Sequence, residues 1–171
     1  QTTTDENGSP VRFDDYSLEL NYDYESYNVV GNSNFYVRYC GDPIQIEGSP
    51  NEIGVWVYVP EGTWSGYALY LDLWVWNGST YVFKNYPLNH PKDGDTANRA
   101  DTNLSSKTDW TGWQYCFADI SKDIATYQDP EHPVSIMPGT GIFWLSYQPG
   151  GDAKLQGRKN GSIFFDNLRV V

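Results

Sequence analysis

Cations are scarce in this chain. Lys and Arg number 11 against 22 Asp and Glu, a formal net charge of −11 over 171 residues. Nucleic acids and anionic membranes draw on Lys and Arg to meet phosphate, so neither is an expected partner. No run reaches the roughly 18 apolar residues that a transmembrane helix needs. No signal peptide is visible at Gln1, which fits a mature chain or an excised domain. An acidic, Lys-poor surface also fits an extracellular or cell-surface protein that must not adhere nonspecifically.

Cysteine is nearly absent. Cys40 and Cys116 lie in strand-like runs, as a disulfide or as two buried free thiols. Neither sits in a CxxC or Cys/His spacing that would hold zinc. The two histidines, His90 and His132, each precede a proline in loop-like sequence and are expected at the surface. No GxSxG, phosphate loop or dinucleotide fingerprint occurs. Helical spacing is missing as well, apart from one expected turn over residues 119–127 with Ser121 as its cap.

Aromatic residues are plentiful: 14 Tyr, 7 Trp and 7 Phe, or 16% of the chain. β-Branched and aromatic runs separated by Gly, Pro, Asn and Asp clusters predict an all-β fold. Residues 53–83 (IGVWVYVPEGTWSGYALYLDLWVWNGSTYVF) show the pattern most clearly. Leu69, Leu71, Leu73 and Val75 alternate with Tyr70, Asp72, Trp74 and Trp76. Successive strand side chains point to opposite faces, so one face is aliphatic and the other aromatic around a carboxylate. Val55, Val57 and Val59 alternate in the same way with Trp56 and Tyr58, and Asn77-Gly78 reads as a tight hairpin turn.

Further strands are expected at residues 17–25, 35–40, 43–46, 110–120, 142–147 and 162–171. Residues 87–109 form the longest irregular stretch. Residues 1–11 read as a linker or N-terminal arm, and residues 12–171 as a single domain. Eight or more short strands predict a two-sheet antiparallel β-sandwich of the jelly-roll type.

Residues 17–24 (SLELNYDY), 50–58 (around IGVWVY), 109–115 (DWTGWQY) and 161–171 (GSIFFDNLRVV) occur in an order that resembles the galactose-binding-like jelly-roll modules of bacterial extracellular carbohydrate-active proteins. That group includes many carbohydrate-binding modules, and the resemblance covers most of the chain from Val11 onward. It implies two antiparallel sheets, one of them concave, a structural calcium in many relatives, and covalently linked neighbouring domains. The aspartate matching Asp166 often helps bind that calcium. No strand before Val11 matches the upstream one that often supplies a ligand.

Pyranose rings stack their C–H groups on aromatic faces while their hydroxyls seek planar polar partners. Tyr70, Asp72, Trp74 and Trp76 supply that combination on one strand, and Trp64, Tyr86 and Trp110 are expected to rim it from loops. Trp56, Trp113 and Trp144 are assigned to the core. For calcium, Asp166 sits in an apolar run where an unpartnered carboxylate would be costly, and Asp14 and Asp15 are its expected co-ligands. A jelly-roll glycoside hydrolase would need two facing carboxylates. Glu6, Glu25, Glu47, Glu52, Glu61 and Glu131 look loop-like or sit at strand ends, and only Glu19 with Asp23 shares a strand face. The expected function is therefore non-catalytic binding of a polysaccharide or oligosaccharide, a neutral glucan first, either starch-like or β-linked. A small hydrolase and an adhesive domain that packs its aromatic face on another protein are the alternatives.

Overall fold

The structure, a computed structural model, describes residues 3–5, 8–13, 15–24, 33–63, 67–91, 104–139, 141–147 and 159–171. Among these residues the chain forms, in order, β1 (Thr3–Thr4), β2 (Pro10–Val11), β3 (Leu18–Asp23), β4 (Ser33–Arg38), β5 (Ile44–Gln45), β6 (Glu52–Val59), β7 (Ala68–Trp76) and β8 (Tyr81–Pro87). Then follow β9 (His90–Pro91), β10 (Leu104–Ser105), β11 (Gly112–Asp119), α1 (Ser121–Tyr127), β12 (Ser135–Ile136), β13 (Gly141–Tyr147) and β14 (Asn160–Val170).

Two antiparallel sheets carry the fold. One has four strands in the order β11-β6-β14-β3. The other has six, with β7 at its centre. β8 lies along one side of β7, while β13 and β12 pair with the other side and lead outward to β4 and β5. This is the two-sheet antiparallel sandwich expected of the sequence.

Alternation decides what enters the interface between the sheets. β6 buries Ile53, Val55, Val57 and Val59, and β7 buries Leu69, Leu71, Leu73 and Val75. These meet Cys116, Ile163, Leu145 and their neighbours in one core. Phe143 and Phe165, one from each sheet, stack at 4.5 Å and 5° across it. Each large aliphatic side chain removed from water contributes about 1.5–3 kcal/mol.

The same alternation corrects the assignment of Trp56 and Trp113 to the core. With Val55 and Val57 turned inward, Trp56 and Tyr58 must turn outward. Trp113 pairs with Tyr58 in register and therefore shares its side of the four-stranded sheet. Both indoles are half-buried on that outer face. The side chain of Trp144 lies outside the described residues.

Gly54 on the outer face of β6 lies directly beneath the phenol end of Tyr115, whose Oη donates to Glu52 Oε1 at 3.1 Å. A Cβ at this position would occupy the space of that phenol. Gly54→Ala is expected to cost about 1–2 kcal/mol through overpacking, read as a lower urea midpoint. A variant as stable as the parent would mean that the Tyr115 ring moves aside without loss.

The helix starts differently from the expectation. Ser121 is its first residue rather than its cap. Asp119 Oδ1 accepts from Ser121 N at 2.9 Å and Ser121 Oγ at 2.5 Å. Those hydrogen bonds stabilise the charged carboxylate and hold its pKa below the ordinary aspartate value. The expected N-terminal arm is also more structured than a linker. β1 and β2 pair with each other, and Val11 is buried.

Candidate functional site

The outward side of β7 and β8 forms the candidate site. Their register sets Tyr70 beside Pro87, Asp72 beside Asn85, Trp74 beside Phe83 and Trp76 beside Tyr81. The connection that fixes this register is a four-residue loop rather than a two-residue turn. Asn77 N donates to Thr80 O at 3.1 Å. Asn77 Oδ1 accepts from the backbone N–H groups of Ser79 and Thr80, each at 3.0 Å. Gly78 supplies the positive φ of 97° that the loop requires.

Paired residues in an antiparallel ladder share a face, so the face is aromatic across both strands. Phe83 is its most exposed ring, at 58%. It lies 5.9 Å from Trp74 at an interplanar angle of 58°. Trp76 meets Tyr81 edge-on at 5.4 Å, and His132 from the loop after α1 stacks flat on Trp76 at 4.1 Å and 9°. Between the Tyr70 and Trp74 positions, Asn85 Nδ2 donates to Asp72 Oδ1 at 2.5 Å. Along β7 the face repeats every two residues, about 7 Å.

The face continues across the sheet. Tyr36 on β4 pairs with Trp144 on β13, and Trp144 pairs with Tyr70. Tyr36 is 48% exposed, and Arg38 Nη2 donates to its hydroxyl at 3.1 Å.

Four of the seven expected ligand-binding residues, Tyr70, Asp72, Trp74 and Trp76, thus share one side of β7. Trp64 lies outside the described residues. Tyr86 does not rim the face. It is an odd number of positions from Phe83, so it points inward, where its hydroxyl donates to Asp123 Oδ2 at 2.6 Å. Burial, reinforced by Asp123, raises its phenol pKa far above the ordinary value. Trp110 is half-buried elsewhere. Its ring lies 4.4 Å from His90, and its Nε1 donates to Gly112 O at 2.9 Å.

Sequence reasoning missed Phe83, Asn85, Tyr81, Tyr36 and His132. For β8 the signal was present, because Tyr81, Phe83 and Asn85 alternate with Val82, Lys84 and Tyr86. Folding that alternation back across the Asn77-Gly78 turn places the first three beside Trp76, Trp74 and Asp72. His132 carries no comparable pattern.

Of the three expected calcium ligands, two are described. Asp14 lies outside the described residues, and Asp15 is exposed. Asp166 is buried, and its Oδ2 accepts from the backbone N–H groups of Arg12 and Phe13, both at 2.8 Å. The need for a partner is thus met at that oxygen by the backbone just after β2. Among the described residues no group of three or more His, Cys, Asp or Glu is arranged to hold a metal ion.

His90 also departs from its expected place. It is buried at 2% exposure, not on the surface. Nδ1 is 2.9 Å from Pro91 O, and Nε2 is 3.0 Å from Lys107 O and 2.8 Å from Asp109 Oδ1. All three partners are acceptors, so the ring donates from both nitrogens. Cys40 is an exposed free thiol and Cys116 a buried one, with burial raising the Cys116 pKa well above its ordinary value. On the outer face of the four-stranded sheet, Glu19 Oε1 accepts from Ser162 Oγ at 2.6 Å.

No family model matches the chain, and no curated protein or solved structure matches it.

Proposed function

We propose that this chain binds a neutral glycan without cleaving it, on the outward face of β7 and β8. The observation that carries the proposal is the Asp72–Asn85 pair set between aromatic positions on an open sheet face. The rings of Trp74 and Phe83 offer apolar surface to pyranose C–H groups. The carboxylate–amide pair offers acceptors and donors to ring hydroxyls in one plane. Asp72 and the net charge of −11 both disfavour acidic sugars. A glucan, starch-like or β-linked, is the first candidate. In this reading the chain is one module of a larger extracellular or cell-surface protein, joined covalently to its neighbours.

The test is affinity electrophoresis through starch, glycogen, β-glucan, xylan and mannan gels. Trp74→Ala and Phe83→Ala should each weaken retention about three- to tenfold, the range expected from one aromatic contact, with melting temperatures unchanged. Full retention by both variants would sink the assignment of this face. Release of reducing sugar by the wild type would favour the hydrolase. Absence of retention on every gel would favour the reading in which exposed Phe83 and Tyr36 pack on another protein.

A further inference from the structure

A parallel ring about 4 Å from an indole plane occupies the position a stacked pyranose would take. On this face His132 already holds that position over Trp76, at 4.1 Å and 9°. Two other ring contacts of the face are tilted. Trp74 meets Phe83 at 58°, and Trp76 meets Tyr81 at 67°. One side of Trp76 is therefore filled by the protein itself.

The loop that presents His132 is firmly tied. Its own N–H donates to Asp129 O at 3.1 Å, and Glu131 N donates to Asp129 Oδ1 at 2.9 Å. Val134 N donates to Gln128 Oε1 at 3.0 Å, and Ile46 N donates to Val134 O at 2.8 Å. Tyr81 Oη and Ser135 Oγ both donate to Pro133 O, at 3.4 and 2.8 Å. These bonds flank His132 on both sides and fix the backbone that carries it. Swinging the loop away would break several of them, and nothing in a neutral sugar replaces them all.

From this we infer that His132 is a specificity-determining stop: it closes its side of Trp76 to sugar and ends the platform, along β7 and β8, at Trp74 and Phe83. The inference rests on the glycan-binding reading of the same face. Trp76 braces the loop after α1, and the ligand is bounded at that end of β7. Removing the imidazole should therefore lengthen the platform by one ring.

Two measurements test it, with maltohexaose and cellohexaose as probes and N-bromosuccinimide as the indole reagent. In the wild type, Trp74 should oxidise faster than Trp76, as mapped by peptide mass. His132→Ala should bring Trp76 to the rate of Trp74 and strengthen binding of the retained hexasaccharide about three- to tenfold. Trp76→Ala should cancel that gain in the His132→Ala background and change wild-type binding less than twofold. His132→Leu keeps bulk over the indole and should keep the wild-type affinity. Slow Trp76 oxidation in His132→Ala, or weaker hexasaccharide binding at unchanged melting temperature, would overturn the stop. If the wild type binds a hexasaccharide and His132→Ala gains nothing, the stop alone falls. If neither protein binds either probe or any gel, the glycan reading falls and takes the stop with it.

Discussion

Asp166→Ala is expected to lower stability by about 3 kcal/mol and to release the N-terminal arm. The carboxylate is 9% exposed, and its Oδ2 accepts from two backbone N–H groups at 2.8 Å. Hydrogen bonds to a charged group contribute about 1.5–3 kcal/mol each, and two on one oxygen are not fully additive. Their loss also leaves two amide donors in a half-buried place. More depends on them than the bonds themselves. Arg12 lies 4.3 Å over Trp56, Phe13 meets Trp56 edge-on at 6.1 Å, and Arg169 lies 5.4 Å from the Phe13 ring. This stack covers the indole that faces outward from β6. Without its anchor at Asp166, the segment at Arg12 should become a trypsin site, cut faster than in the wild type. Asp166→Asn keeps an acceptor oxygen and should lose only about 1 kcal/mol. The variant is measured by its urea midpoint and by timed proteolysis. Wild-type stability in Asp166→Ala with Arg12 still resistant would sink the anchoring role. A chelator that lowers the melting temperature of the wild type but not of Asp166→Ala would assign this carboxylate to calcium.

Asp166 also shows where sequence reasoning reaches its limit. A carboxylate inside an apolar run signals that a partner exists. The partner itself lies 153 and 154 positions away in the chain, in backbone groups that every residue carries. Composition holds no trace of such donors. What does survive in sequence is parity. β6, β7 and β8 each alternate, and the structure keeps those alternations intact. Parity assigns residues to two faces without saying which face is inside. On β7 the aliphatic residues settle that question. On β6 valines compete with Trp56 and Tyr58, both sets are apolar, and only the partner sheet decides. The side of Tyr86 could be read by counting from Phe83. The burial of His90 could not, because it depends on Lys107 and Asp109, 17 and 19 positions later in the chain, lying beside it. The stack of His132 on Trp76 is of the same kind.

That later segment supplies the other large effect. His90→Gln should destabilise the domain by about 2–3 kcal/mol at pH 5.5 and by much less at alkaline pH. Breaking a buried ion pair costs about 3–5 kcal/mol, and the partial exposure of Asp109, 33% at its side chain, trims that figure. The pH dependence follows from the ring's surroundings. Burial by itself lowers the His90 pKa, but the hydrogen bonds to Asp109, Pro91 O and Lys107 O outweigh it and raise the pKa above 6.5. A raised folded value stabilises fully below the unfolded value of 6.5, and the contribution fades as pH climbs through the folded value. For Asp109 burial pushes the pKa upward, yet the bonds from His90 and Ser105 prevail and set it below 3.8. Its contribution is therefore complete above 3.8 and is lost as pH falls through the lower folded value. Together the pair stabilises most between these two limits and loses strength on either side. The structural reach of the pair is wide. It joins β9 to the segment before β11, where Ser105 Oγ donates to Asp109 Oδ2 at 3.1 Å and Trp110 packs on the imidazole at 4.4 Å. Next to it, Asn89 and Phe117 exchange two backbone bonds of 2.8 Å that join the chain after β8 to β11 of the other sheet. Urea melts of wild type and His90→Gln at pH 5.5, 7 and 9 should converge as pH rises. A difference that holds constant from pH 5.5 to pH 9 would show that His90 acts there as a neutral packing group, and the charged pair would have to be abandoned.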